Sequence, residues 1–246
     1  EQQKTEEANQ ALAGALRLKD RLLSIIAHDL RGPFGGQKEL IELYSEMPDL
    51  TKDDIRHFFA IVKDSSSSLY QLLENLLLWA NNQGVNPNFF LPIEQNVVEL
   101  IDETIVPLRS WANLKNIKIT VQAAPQINAR VDENMFKTIV RNLISNAIKY
   151  SEPGNDICVT LTPNDDEIVI TVADQGRGIN AELLSSLFQN KEEVLDRSLA
   201  ENKIGLGLVL CSDFTIRHNG RIWAESEIGK GTKISFTIPL RVNIEC

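Results

Sequence analysis

The spacing of apolar residues changes once along this 246-residue chain, and the change limits the folds that the chain can adopt. Between residues 8 and 79 apolar side chains recur at steps of three and four, the period of an amphipathic helix. Beyond residue 92 short apolar runs appear that are typical of strands. Glycine, asparagine and proline separate the two patterns. We therefore predict a multidomain chain with an all-α region at 1–84, a linker at 85–92 and a second domain at 93–246.

The all-α region is predicted to be a hairpin of two long helices. Two adjacent apolar seams on the first helix make a face too wide for a two-stranded coiled coil, which favours packing in a bundle. That helix is expected to end near Glu46, and Thr51 with Asp54 predicts the N-cap of the next. A lone hairpin leaves its seams bare, so we predict a homodimer in which two hairpins form a four-helix bundle. The seam of the second helix comprises Ile55, Phe58, Val62, Ser65, Leu69, Leu72, Leu76 and Trp79.

The first helix contains one imidazole. His28 lies on neither apolar seam, so we expect it at the edge of the buried face, where a large partner can reach it. Asp29 follows it, and Pro33 predicts a kink just beyond because proline cannot donate a hydrogen bond inside a helix. Neutral imidazole is a nucleophile near pH 7. His28 is therefore a candidate acceptor group, although a solvated surface histidine also fits these residues.

Beyond the linker, the predicted helices gather on one face of a sheet, which is typical of an α+β sandwich. Helices are expected at Gln95 to Leu114, Glu133 to Tyr150 and Leu206 to His218. Strands are expected at Ile117 to Val121, Ile157 to Leu161, Ile168 to Ala173, Arg221 to Glu225 and Lys233 to Ile238.

Polar side chains recur along the helix predicted at 133–150. Asn142, Asn146 and Lys149 are four and three residues apart, which places them on one helical face. Amide oxygens suit Mg²⁺, which prefers hard oxygen ligands and shares them with substrate phosphates. A solvent-facing stripe on an amphipathic helix would show the same pattern.

Two glycine-containing segments follow in the sequence. Asp174 ends a predicted strand, where its carboxylate can accept a hydrogen bond from an exocyclic amine, and Gly176 and Gly178 allow the backbone to approach a flat base. Gly205 and Gly207 open a helix, where unpaired amides and the helix dipole favour phosphate. Taken singly, the Asp174 segment fits an ordinary glycine turn after a strand better than a binding site, and glycine-rich helix starts are also common without a ligand.

Composition excludes several classes of protein. The net charge of −9 argues against a nucleic-acid binder, which needs a basic patch. Three widely spaced cysteines indicate buried or terminal thiols in a reducing compartment, and we expect a cytoplasmic protein. No run approaches the roughly 18 apolar residues of a membrane span. The chain begins at Glu1 inside a helical pattern, so we expect it to be a trimmed fragment of a longer protein. That expectation leaves room for a membrane segment upstream of Glu1.

Four segments, in this order, resemble the H, N, G1 and G2 boxes of bacterial sensor histidine kinases: the His28 helix, Asn142 to Ser151, Asp174 to Gly178, and Gly205 to Leu208. The likeness runs from about Leu16 to Leu240. It implies a dimerisation and phosphoacceptor hairpin followed by an ATP-binding domain of the histidine kinase (GHKL) type, with ATP and Mg²⁺ as cofactors. It also implies transfer of the γ-phosphate of ATP to His28, and then to an aspartate on a response-regulator receiver domain.

The resemblance further implies roles for single residues. His28 and Asp29 would be catalytic, Asn146 would ligate Mg²⁺, and Asp174 would hold the adenine amine. The segment from Leu187 to Ile204 would be a mobile lid. The residues implied to bind the nucleotide are Asn142, Asn146, Lys149, Tyr150, Asp174, Gly176, Gly178, Gly205, Leu206, Gly207 and Thr232.

The sequence departs from the family pattern at two positions. Gly32 stands where many bifunctional members carry Thr or Asn, which places phosphatase activity toward the partner in doubt. Lys203 stands where the G2 pattern usually has its first glycine. Two other functions stay open: a non-catalytic ATP-binding module that relays conformation, and an ATPase or chaperone of the wider superfamily, which the His28 hairpin disfavours.

Overall fold

The computed structural model describes residues 27, 30–32, 34–83, 90–188 and 205–240. By its internal contacts the chain divides into two units, Glu1–Ala80 and Asn81–Cys246. Within the described ranges no helix has both the length and the apolar character needed to cross a bilayer.

The first unit contains the predicted helices. Helix α1 comprises residues 30–32 and 34–45, and α2 is Lys52–Gln83. The predicted cap of α2 is confirmed: Thr51 Oγ1 accepts from the Asp54 amide at 3.2 Å, and Asp54 Oδ2 accepts from the Thr51 amide at 3.0 Å. This reciprocal pairing satisfies two backbone donors at the start of α2.

Apolar side chains of both helices remain at the surface of this unit. Val62, Leu69 and Leu76 of the predicted seam are only half-buried. Phe59 is 64% exposed and Tyr70 is 65% exposed. The unit taken by itself therefore leaves apolar surface uncovered, as the sequence predicts. The predicted kink depends on Pro33, which lies outside the described residues.

The second unit contains two sheets with helices. Its elements are β1 (Ile93–Asn96), α3 (Val97–Leu114), β2 (Lys118–Gln122), β3 (Asn128–Val131), α4 (Glu133–Tyr150), β4 (Asp156–Pro163), β5 (Glu167–Asp174), α5 (Ala181–Ser186), α6 (Leu206–Arg217), β6 (Ile222–Glu227) and β7 (Gly231–Pro239). The larger sheet has the order β2-β4-β5-β7-β6, with β2 parallel to β4 and the other pairs antiparallel. Strands β1 and β3 form a separate antiparallel pair.

The core lies between the larger sheet and the helices α3, α4 and α6. Alternate residues of β4 and β5 are buried, β7 is buried at almost every position, and the Phe136 ring of α4 lies 6.0 Å from the Phe236 ring of β7. The predicted α+β sandwich is confirmed. The Cys211 thiol of α6 is buried as predicted, and burial raises its pKa to about 12, so it stays protonated.

Two parts of this unit differ from the sequence prediction. Gln95 belongs to β1 rather than to the following helix, because Asn96 caps α3 by accepting the Val98 amide at 3.2 Å. The short elements β1, β3 and α5 were not expected. The other bounds agree within two residues, and α4 begins and ends where predicted. Ile117 precedes β2 because its amide donates to the Ala112 carbonyl at 2.9 Å.

Candidate functional site

The polar residues of α4 differ in burial. Asn142 is only 6% exposed, and its Nδ2 donates to the Gly207 carbonyl at 3.3 Å. A β-carbon at Gly207 would lie 3.3 Å from Asn142 Cγ, so glycine permits this close approach. Asn146 is half-buried and Lys149 is exposed. The sequence motif of α4 and the glycine motif that opens α6 are therefore in direct contact.

Helix α6 begins without a side-chain cap. Its N-cap residue, Gly205, has no side-chain acceptor, although its carbonyl accepts from the Leu208 amide at 3.2 Å, and Leu206 is 1% exposed and anchors the first turn in the core. The positive end of the helix dipole favours an anion at this position, where no side chain caps the helix. Because Gly207 contacts Asn142, this helix start lies beside α4.

The Asp174 carboxylate at the end of β5 is fixed by two backbone donors. Its Oδ1 accepts from the Gly176 amide at 2.8 Å and from the Thr232 amide at 3.2 Å. Thr232 is its register partner on β7. Burial raises the pKa of Asp174 above its usual range, although these two hydrogen bonds act in the opposite direction. The residue is thus a desolvated acceptor at the end of a strand.

The β6–β7 hairpin holds the loop that follows Asp174. Ser226 Oγ accepts from the Ile179 amide at 2.8 Å and donates to the Gly231 carbonyl at 2.8 Å. Gly178 has a φ of +71°, and a β-carbon there would collide with the Glu227 carbonyl. The sequence prediction missed Ser226, since only the pairing of the two strands brings it to this loop.

The end of α4 contacts the same loop. The Tyr150 carbonyl accepts from the Arg177 amide at 3.4 Å, and a β-carbon at Gly176 would collide with that carbonyl. The Tyr150 ring is 40% exposed, with the Arg177 guanidinium carbon 4.9 Å and Lys149 Nζ 5.2 Å from its centroid. Two cations this close to one aromatic ring are a cation–π arrangement. Arg177 was not singled out as a site residue although it lies within the predicted motif.

This arrangement suits a ligand with a flat base and an anionic tail. Asp174 supplies a desolvated acceptor for a base amine, and the glycines beside it let the loop pack closely against the Tyr150 and Glu227 carbonyls. The start of α6 and the Lys149 ammonium supply positive charge for phosphates. The amide oxygens of Asn142 and Asn146 fit Mg²⁺, which selects oxygen ligands.

Known proteins resemble the chain in sequence and in fold. Residues 131–242 match the family described as Histidine kinase-, DNA gyrase B-, and HSP90-like ATPase. The adaptive-response sensory kinase SasA of Prochlorococcus marinus is 28% identical over 234 residues, which cover 94% of this chain and 60% of SasA. The sensor protein SrrB of Staphylococcus aureus is 28% identical over 226 residues, covering 91% of this chain and 38% of SrrB. The crystal structure of histidine kinase ThkA in complex with the response regulator protein TrrA has a TM-score of 0.69 at 20% identity, covering 96% of this chain and 66% of that chain.

Residues 131–242 belong to this ATPase family, and the chain is similar over more than nine tenths of its length to bacterial sensor histidine kinases. The predicted family is thereby confirmed, and the α+β unit is its GHKL-type ATP-binding domain. This histidine kinase homologue spans less than two thirds of SasA and of SrrB.

Contacts within the ATP-binding domain of this family member link the predicted residues in two groups, one at each end of the motif on α4. Asn142 meets Gly207, and eight residues later Tyr150 meets the loop that follows Asp174, whose carboxylate also accepts from the Thr232 amide of β7. The catalytic candidates His28 and Asp29 lie outside the described residues, as do Lys203 and most of the predicted lid, residues 189–204. Their predicted roles stay predictions.

Proposed function

We propose that the chain is the core of an ATP-dependent protein-histidine kinase. It phosphorylates itself on His28 and passes the phosphoryl group to an aspartate of a response-regulator receiver domain. The proposal is supported chiefly by the contacts between three sequence motifs in an ATP-binding domain of this family. Asn142 contacts Gly207, and Tyr150 contacts the loop that follows Asp174. A fourth motif supplies His28 on the preceding hairpin.

In this proposal Asp174 holds the exocyclic amine of adenine. Two backbone amides occupy its Oδ1, and no hydrogen bond from the described residues reaches Oδ2. A ligand donor at Oδ2 would offset the cost of a half-buried charge. Gly176, Gly178 and Thr232 form the surrounding wall, and the Tyr150 ring packs near the nucleotide.

The phosphates are assigned to the side of α4 that faces the start of α6. Gly205, Leu206 and Gly207 supply backbone amides there, and Lys149 supplies a charge. Asn146, whose side chain makes no hydrogen bond within 90–188 and 205–240, is assigned as the Mg²⁺ ligand, with Asn142 close by. Bound Mg²⁺ would neutralise charge on the phosphates.

The reaction is an in-line transfer. A ring nitrogen of His28 forms a bond to the γ-phosphorus, the bond from that phosphorus to the bridging oxygen breaks, and ADP leaves. Asp29 orients the other ring nitrogen or accepts its proton. Because the transition state of such transfers is loose, positioning and charge neutralisation provide most of the rate enhancement.

The same proposal assigns the domains of the chain, its oligomeric state, its partner and its location in the cell. Residues 1–84 form the lead-in and the dimerisation hairpin, 85–92 the linker and 93–246 the catalytic domain. The exposed Phe59 and Tyr70 support a homodimer that buries them in a four-helix bundle. The solved complex of ThkA with TrrA supports a response regulator as partner. We place the chain in the cytoplasm, where its ATP is available, with a parent protein that is free or attached to the membrane.

Incubation with γ-labelled ATP and Mg²⁺ tests the proposal. The wild-type chain should acquire label that is labile in acid and stable in alkali, and His28→Gln should acquire none while binding ATP with unchanged affinity. Label retained by His28→Gln would contradict the assignment of His28. Nucleotide binding without label in the wild type would favour the non-catalytic relay module instead.

A further inference from the structure

Lys115 follows α3 directly, and its ammonium lies against the C-terminus of α4. Nζ donates to the carbonyl oxygens of Ile148 at 2.9 Å, Lys149 at 3.1 Å and Ser151 at 3.4 Å. Carbonyls at the end of a helix lack partners within the helix and form the negative end of its dipole, so a cation is favourable there. An ammonium has three donors, and all three serve this segment.

The backbone of Lys115 binds the same segment. Its carbonyl accepts from the Gly154 amide at 3.0 Å, and its own amide is held by the Ala112 carbonyl at 3.0 Å. Gly154 has a φ of +87°, which lets the chain turn sharply back toward Lys115. Lys115 therefore holds residues 148–154 by both its side chain and its backbone.

Residues 148–154 include part of the proposed nucleotide site. Lys149 and Tyr150 lie within this segment, and the Tyr150 carbonyl accepts from the Arg177 amide. The next residue, Asn155, donates from Nδ2 to the Gln175 carbonyl at 2.8 Å. The segment held by Lys115 is thus bonded to the loop that follows Asp174.

We infer that Lys115 is a positioning residue for the adenine nucleotide, an inference that rests on the proposed function. Lys115 fixes the last turn of α4, so that Lys149 and Tyr150 keep their places relative to the loop after Asp174. Without the ammonium, three carbonyls must bind water and the last turn frays. Displacements of about 1 Å can cost up to about 100-fold in a preorganised site, and we expect about tenfold for this indirect effect.

Lys115→Met in the full chain tests the inference. By calorimetry with a non-hydrolysable ATP analogue and Mg²⁺, its Kd should rise about tenfold relative to wild type. The KM for ATP in self-phosphorylation should rise in parallel, with kcat changed less than about twofold, since Lys115 touches no reacting atom. Lys115→Arg, which keeps a cation with several donors, should restore Kd to within about threefold of wild type.

Lys137→Met is the matched control. Lys137 Nζ joins Glu103 of α3 and Glu133 of α4, each at 2.7 Å, so its loss also removes a lysine link between these helices. Both methionine variants should lose a few degrees of Tm, but only Lys115→Met should lose affinity for the analogue.

The outcomes separate this inference from the proposed function. Unchanged Kd in Lys115→Met, or equal losses of affinity in both methionine variants, would overturn the role of Lys115 alone. A wild-type chain that does not bind the analogue would overturn both proposals. If circular dichroism shows Lys115→Met to be unfolded, Lys115→Gln, which keeps one short donor group, replaces it under the same criterion.

Discussion

Asp174 combines a stability cost with a proposed binding role. Because its pKa is raised in the folded state, the folded protein holds the proton more tightly than the unfolded chain does. Its contribution to stability is therefore largest below the unfolded value of 3.8 and falls as the pH rises through the raised pKa. The folded protein therefore holds the ionised form of Asp174 at a cost in stability.

Asp174→Asn should accordingly separate stability from binding. Asparagine can still accept from the Gly176 and Thr232 amides but carries no charge. We expect Tm to stay equal or rise by about 1–3 °C at pH 7, and affinity for ATP to fall at least about 30-fold. Scanning fluorimetry and calorimetry measure the two quantities. Asp165→Asn, at an exposed position, should change neither, and unimpaired ATP binding in Asp174→Asn would remove the adenine role.

His218 ties three segments of the ATP-binding domain together. Its Nδ1 donates to the Phe214 carbonyl at 2.7 Å, its Nε2 accepts from the Asp132 amide at 3.0 Å, and the Phe90 ring lies 5.0 Å away. This pattern requires the neutral imidazole. Burial lowers the pKa of His218, although the Phe214 carbonyl and the Asp132 charge oppose the shift.

The lowered pKa of His218 predicts a stability that depends on pH. Between the unfolded value of 6.5 and the lowered folded pKa the unfolded chain binds more protons, so stability is full above about 6.5 and is lost as the pH falls. Urea unfolding of the wild type from pH 8 to 5 should show this loss. His218→Gln should be less stable by about 1–2 kcal/mol at pH 8, with a smaller difference at pH 5. Parallel pH profiles for the two proteins would contradict the assignment.

Sequence reasoning finds site residues whose chemistry is visible in their type and spacing. Asp174 follows an alternating strand and precedes two glycines, and Asn142 and Asn146 share one face of a helix. Lys115 and Ser226 have no such signal. The carbonyl partners of Lys115 Nζ lie 33 residues or more away in the sequence. The Ile179 amide, which donates to the Ser226 hydroxyl, lies 47 residues away from Ser226. Only the folded chain therefore reveals these contacts.

At the scale of elements, the β6–β7 hairpin and the loop after Asp174 depend on one close approach. Gly178 and Gly229 both have left-handed φ angles, +71° and +79°. A β-carbon at Gly178 would collide with the Glu227 carbonyl, while one at Gly229 would meet nothing within 4 Å. A residue with a side chain would therefore be strained in its backbone at either position, but only at position 178 would it also collide with a neighbouring atom.

Gly178→Ala and Gly229→Ala form a matched pair. Both should lose about 1 kcal/mol of unfolding free energy to backbone strain, and Gly178→Ala should lose about 1–3 kcal/mol more because the loop must move from the hairpin. The displaced loop should also weaken nucleotide binding in Gly178→Ala alone. Chemical denaturation and calorimetry provide the comparison, and equal effects in the two variants would show that crowding at Gly178 is unimportant.

Elements were predictable where local signals agree. Helix α4 has the predicted bounds because Asp132 caps it, accepting from the Met135 amide at 3.0 Å, and apolar residues follow the helical period. Strands β1 and β3 have four residues each and pair across more than 30 residues of sequence. Such short strands carry too few alternating positions to distinguish them from loops.

At the scale of the whole molecule, the two units differ in how completely each covers its apolar residues. The ATP-binding domain has its own core, with Phe136, Phe214 and Phe236 fully buried. The described helices of the first unit leave large apolar side chains at the surface, among them Phe34, Ile41, Phe59, Tyr70, Leu73 and Leu77. The association of two chains is therefore expected to depend on the helical unit.

Phe59→Glu tests this expectation. In the proposed four-helix bundle the introduced carboxylate would be buried without a partner, which costs several kcal/mol and should weaken the dimer at least about 100-fold. Light scattering at micromolar concentration should give twice the chain mass of 27.6 kDa for the wild type and the single-chain mass for the variant. Val106→Glu is the control, because Val106 is equally exposed, at 64%, but lies on α3 of the ATP-binding domain. A monomeric wild type, or equal masses for the two variants, would contradict the helical dimer. Nucleotide affinity should be unchanged in both variants, since neither side chain touches the proposed site.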